Sequence, residues 1–157
     1  MTEQRLEDAE DRLWRAIMHL GALLPSILEN DLQRAAGISL SEFGALLQLS
    51  RAENGGMRLN ELADATDLSP SRITRLIGEL EGRGFVRREA CSTDARGTNA
   101  VITDAGRDAV ARAYPAQIER ARKLVFDAIP SAEVERLAGA MSAIADRAAC
   151  PGSISPA

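Results

Sequence analysis

Residues 59–89 read LNELADATDLSPSRITRLIGELEGRGFVRRE, and this stretch decides the fold. Residues 59–67 have the spacing of a short helix with Leu62 and Ala63 on its buried side. Leu68-Ser69-Pro70-Ser71 is a turn in which Ser69 is a good N-cap and Pro70 takes the first helical position. The second helix then carries Ile73, Leu76, Ile77 and Leu80 on one face. Arg72, Arg75 and Glu79 lie on another, with Ser71 and Thr74 near the N-terminal half. Gly82 or Gly84 ends it.

Working outward, residues 85–89 and 99–102 are β-prone runs separated by a polar turn with Gly97 near its end, and they predict a two-stranded hairpin. Thr103 caps a long helix with Val110, Ala113, Ile118, Ala121, Val125 and Ala128 as its stripe, and Pro130 stops it. Ser131, Val134, Leu137, Met141, Ile144 and Ala148 give a last helix, followed by a frayed tail. On the other side, residues 6–32 repeat apolar side chains at helical spacing, from Leu6 through Leu13, Ile17, Leu20 and Leu24 to Leu32. Pro25 should kink or split that helix. After the turn Ala36-Gly37-Ile38, Ser39 or Ser41 caps a short helix bearing Phe43, Leu46, Leu47 and Leu49. Residues 51–58, with Asn54-Gly55-Gly56, read as a loop.

The whole chain of 157 residues has the usual size of one domain, and its 45% hydrophobic content suits a packed core. Aromatics are only 3%, so that core is built from Leu, Ile, Val and Ala, a mixture that favours helix. No run of about 18 apolar residues occurs, which predicts no membrane span. The N-terminal stretch is acidic and polar, unlike a signal peptide, and the expected location is cytoplasmic. Cys91 and Cys150 are too few for a disulfide framework and lack metal-ligand spacing. His19 is the single histidine, so no multi-histidine metal site is expected, and no cofactor. An enzyme would need a nucleophile with its base, a carboxylate pair in a cleft, or a metal cluster, and none is apparent.

Net charge is −4, but phosphate contacts need only a local basic patch. Residues 69–99 hold six arginines (Arg72, Arg75, Arg83, Arg87, Arg88, Arg96) against four acids, a local +2 within a negative chain. Two short helices, the second with an Arg/Ser/Thr face, followed by a hairpin, make a winged helix-turn-helix. Its chemistry suits double-stranded DNA. Arg72 and Arg75 can each fork onto guanine O6 and N7 in the major groove. Ser69, Ser71 and Thr74 can donate to phosphates. Arg96, near the wing tip, can enter an adjacent minor groove.

These stretches resemble the MarR family of bacterial regulators over about residues 5–148. The family's recognition-helix pattern is matched by Thr74-Arg75 and Leu80-Glu81-x-x-Gly84, and its wing pattern by Asp94, Arg96 and Thr103-Asp104-Ala105-Gly106. Many relatives carry two adjacent arginines at the wing tip, and here Ala95 stands in place of the first. The resemblance implies a mainly α fold with a small β-hairpin wing and long terminal helices that interlock in a homodimer. It also implies a sequence-specific regulator, a repressor on a pseudo-palindromic operator, with release by a small-molecule effector. The corresponding division is an N-terminal dimerisation helix (1–36), a winged helix-turn-helix (37–102), C-terminal dimerisation helices (103–149) and a flexible tail (150–157). Three long apolar stripes, more than one small wing domain can cover, predict the dimer independently.

Several residues carry two readings. Arg72 and Arg75 are DNA contacts or a solvated helix face. Arg96 is a DNA contact or the partner of a loop-ordering salt bridge to Asp94, and the two are compatible. Arg87 and Arg88 alternate along a strand, so at most one faces phosphate and both support the wing. Trp14 and His19 either pack the core and dimer or line the crevice where family members hold aromatic or phenolic effectors. Cys91 would sense oxidants only if Arg87 or Arg88 favoured its thiolate. A protein-interaction winged helix, the main alternative function, would be expected to lack Arg72, Arg75 and Arg96.

Overall fold

The computed structural model describes residues 5–90 and 98–149. The described elements are α1 (Asp8–Ala36), α2 (Leu40–Arg51), β1 (Gly56–Arg58), α3 (Leu59–Ala65), α4 (Pro70–Gly82), β2 (Val86–Ala90), β3 (Thr98–Ile102), α5 (Asp104–Ala121) and α6 (Val134–Ala149). A π-helical turn (Arg122–Phe126) and a 3-10 turn (Ser131–Glu133) lie between the last two helices. The chain divides into two compact units after Gln117.

In the first unit, α1 runs unbroken through Pro25 for 29 residues. The expected split is absent: proline removes one backbone hydrogen bond, and the remaining turns of so long a helix hold it together. Gly37, at φ 65°, closes α1 by donating its N–H to Gln33 O at 3.0 Å. A capping box then starts α2. Ser39 N–H donates to Glu42 Oε2 at 2.7 Å, and Glu42 N–H donates to Ser39 Oγ at 3.2 Å.

The expected hairpin forms between β2 and β3, but it is part of a three-stranded antiparallel sheet in the order β1-β3-β2. The stretch read as a loop contributes β1, which pairs Gly56 with Val101, Met57 with Ala100 and Arg58 with Asn99. Three residues are too few to show an alternating pattern, and β1 exists because the free edge of β3 accepts it. Gly106 explains the Thr-x-x-Gly pattern that follows. Thr103 Oγ1 accepts from Gly106 N–H at 3.2 Å and donates to Gly84 O at 2.7 Å. A side chain at Gly106 would collide with the Phe85 carbonyl.

The core of this unit joins Leu32 of α1 to Phe43, Leu46 and Leu49 of α2, Leu62 of α3, Ile73, Ile77 and Leu80 of α4, Ile102 of β3 and Ala109 of α5. Each fully buried Leu or Ile contributes about 1.5–3 kcal/mol by leaving water. In the second unit the long helix ends earlier than its apolar stripe suggested, with a π turn whose Asp127 N–H reaches Arg122 O at 2.9 Å. Pro130 follows, as expected of a stop, and the last helix begins with the 3-10 turn at Ser131. No residue of the two turns or of α6 is buried.

Candidate nucleic-acid interface

The helix α4 is built to present one face. Ser69 is its N-cap, its Oγ accepting from Arg72 N–H at 3.3 Å, and Pro70 starts it. Ile73, Leu76, Ile77 and Leu80 are buried, which turns Ser71, Arg72, Thr74, Arg75 and Glu79 outward. At the far end Gly84, at φ 74°, lets Phe85 N–H reach back to Leu80 O at 2.9 Å. The helix is therefore fixed at both ends and turns its polar side outward.

That polar side has two flanks. On one, Arg72, Arg75 and Glu79 line a cleft of about 180 Å³ together with Ser39 and Ser41 of α2 and with Leu68 and Leu76. Arg75 Nε is 3.6 Å from Glu79 Oε1, and both side chains are well exposed. Arg72 has no ion-pair partner among the described residues. On the other flank, Thr74 Oγ1 donates to Pro70 O at 2.8 Å, and Ser71 Oγ lies 3.2 Å from Ser69 Oγ.

The wing strand β2 separates its two arginines. Arg88 turns back onto α4. Its Nη2 donates to Thr74 O at 3.1 Å, its Nε lies 3.5 Å from Glu81 Oε2, and its backbone N–H donates to Glu81 Oε1 at 3.3 Å. Arg87 instead forks onto Glu89 Oε1, through Nε at 2.8 Å and Nη2 at 2.7 Å. The opposite orientations expected of neighbouring strand residues are observed, and each guanidinium already has a carboxylate. Asp94, Arg96 and Cys91 lie outside the described residues, as does Cys150.

Arg83 and Glu42 went unrecognised in the sequence as a pair. Arg83 caps the C-terminus of α4, and its Nη1 donates to Glu42 Oε1 at 2.7 Å while its Nη2 donates to Gly37 O at 2.8 Å. Its guanidinium also stacks 4.7 Å from the Phe85 ring centroid. Of the arginines that made residues 69–99 basic, Arg83, Arg87 and Arg88 thus have structural partners. Arg72 and Arg75 are the other described arginines of that stretch, both exposed on α4, Arg75 beside Glu79.

Trp14 and His19 are exposed on α1 and do not line either the α4 cleft or the larger cavity of this unit. That larger cavity, about 340 Å³, lies between α2 and α5 and is lined by Leu47, Ser50, Arg51, Arg107, Val110, Ala111 and Tyr114. No group of acidic, His or Cys side chains suited to a metal ion occurs among the described residues.

The MarR family model matches residues 36–97, the span that contains α2, α3 and α4. The transcriptional repressor MprA of Escherichia coli K12 is 31% identical over 127 residues, covering 80% of this chain and 70% of the relative. The chain belongs to the MarR family. Among solved structures, the MarR-family regulator AbsC of Streptomyces coelicolor is 33% identical, with a TM-score of 0.85 over 92% of this chain and 97% of that one. Sco3205 of the same organism, a MarR-family regulator solved in complex with DNA, is 32% identical, with a TM-score of 0.85 over 90% of this chain and 92% of its own. The protein is a MarR-family transcriptional regulator with the winged helix fold, and not an enzyme. No helix among the described residues is long and apolar enough to cross a membrane.

Proposed function

We propose that this MarR-family regulator is a cytoplasmic repressor that binds a pseudo-palindromic operator in double-stranded DNA as a homodimer. The observation that carries the reading is α4, whose apolar face is locked in the core while Arg72 and Arg75 stand outward beside Ser71 and Thr74. A helix so mounted offers donors along the side that a major groove admits. The DNA complex of Sco3205 supports the same use here, and the name of MprA supports repression.

The homodimer is supported by apolar surface that the single chain leaves in water. On α1, Leu13, Trp14 and Met18 are each more than half exposed, and on α6 Met141 and Ile144 are more than two-fifths exposed. Residues 1–36 and 103–149 are assigned to dimerisation, residues 37–102 to DNA binding, and residues 150–157 to a tail. In this assignment Trp14 belongs to the dimer surface, and the wing reaches DNA through Arg96, with Asp94, Arg87 and Arg88 as supports. Release by a small aromatic or phenolic effector is supported by the α2–α5 cavity, which sets Leu47, Val110 and Tyr114 beside Arg51 and Arg107.

A gel shift with the DNA upstream of the chain's own gene tests the reading. A retarded band that resists competition by unrelated DNA is expected. A protein that retards neither DNA would instead be a winged helix turned to protein partners.

A further inference from the structure

The cleft between α2 and α4 brings together groups that recognition-helix residues alone do not account for. Ser41, the second residue of α2, is half-buried in its wall, and its hydroxyl has no hydrogen-bond partner among the described residues. Facing it from α4 are two guanidiniums and one carboxylate, Arg72, Arg75 and Glu79. The carboxylate lies along the helix from Arg75, 3.6 Å from its Nε, and so draws that arginine toward the C-terminal end of α4. Arg72 lines the cleft without an ion-pair partner among the described residues. Ser39 also lines the cleft, but its Oγ already accepts from Glu42 N–H at 3.2 Å.

We propose that this cleft seats one backbone phosphate of the bound DNA, held by the Ser41 hydroxyl and the Arg72 guanidinium. The inference rests on the DNA-binding reading and sorts its contacts. Arg72 becomes a phosphate ligand that sets register, and Arg75, which shares the cleft wall but is paired with Glu79, is left to read a base. A cleft lined by both an unpartnered hydroxyl and a guanidinium suits a phosphate oxygen, which accepts several donors at once. It extends the DNA footprint from α4 onto α2.

The experiment uses the full chain and its upstream DNA duplex, with single neutral methylphosphonates placed at successive backbone positions. At one position the substitution should weaken the parent roughly tenfold, the size of a lost hydrogen bond to a charged group. The same duplex should cost Arg72→Ala and Ser41→Ala nothing further. Arg72→Ala should lose affinity equally across base-pair variants and lower the salt dependence of log K by about 0.9. Ser41→Ala removes no internal hydrogen bond, so its fold should be unchanged by circular dichroism, and it should weaken binding without altering the salt dependence.

If every methylphosphonate costs the variants as much as the parent, or if the Arg72→Ala loss falls on one base pair, the seat is overturned. Inorganic phosphate separates the free ion from the DNA backbone. A shift of the Ser41 amide resonance with phosphate alone, without a coupled backbone position, assigns the cleft to a free anion and also overturns the proposal. A parent that does not bind the duplex removes the DNA-binding reading itself, and the seat with it.

Discussion

Arg83 donates to Glu42 Oε1 at 2.7 Å, joining the C-terminal cap of α4 to the first turn of α2 across 41 positions of sequence. The Glu42 side chain is only 10% exposed and that of Arg83 39%, so the pair is sheltered on one side and wet on the other. Removing Arg83 strands a nearly buried carboxylate and frees the Gly37 carbonyl. Arg83→Ala should therefore lower unfolding free energy by about 2 kcal/mol, less than a fully buried pair would lose. Urea denaturation checks this, and a loss below about 0.5 kcal/mol would make the pair ornamental.

The sequence shows some of this architecture and hides the rest for physical reasons. In α4 the cap, the proline, the apolar face at Ile73, Leu76, Ile77 and Leu80 and the closing glycine all agree, and such agreement is local. Strand β1 depends on β3, whose partner residues lie more than 40 positions away, and Gly56-Met57-Arg58 has no strand pattern of its own. The Arg83–Glu42 contact is equally non-local, so Arg83 counted only as one of several positive charges. The glutamate did have a local signal, three residues after Ser39, which reports its capping bond and not its second partner. Trp14 and His19 are placed by helical spacing, and both stand exposed on α1. Along the sequence Ser41 reads only as a cap, since nothing there shows that α2 shares a cleft with Arg72.

Arg75→Ala should cost roughly 1–3 kcal/mol of specific binding, concentrated at particular base pairs. Binding to a set of single-base operator variants measures it. A uniform loss would make Arg75 a phosphate contact, and no loss would remove it from the interface.

Arg88 and Arg87 should separate. Arg88→Ala removes the bond to the Thr74 carbonyl and the Glu81 pair that tie the wing to α4. Amide exchange in β2 and β3 should accelerate, and DNA affinity should fall with it. Arg87→Ala breaks only an exposed pair with Glu89 and should change stability by less than about 1 kcal/mol. Equal exchange rates in the two variants would contradict the assignment of Arg88 as the tie.

Arg96→Ala should weaken DNA binding without changing the assembly state, and should reduce the salt dependence of log K by about 0.9 for each phosphate no longer neutralised. Asp94→Ala should act in the same direction, less strongly. Parent-like binding at low and high salt would make the wing passive, leaving recognition to α4 and its neighbour α2.

The central claim, a homodimer reading DNA through α4, is tested most directly by stoichiometry and specificity measured together. Light scattering of the free protein should give about twice the 16.8 kDa chain mass. Titration of the upstream duplex should then saturate at two chains per site. At one stated salt concentration, that duplex should be preferred over a scrambled one by about a thousandfold or more. A stable monomer that binds tightly, or equal affinity for the two duplexes, would contradict the account.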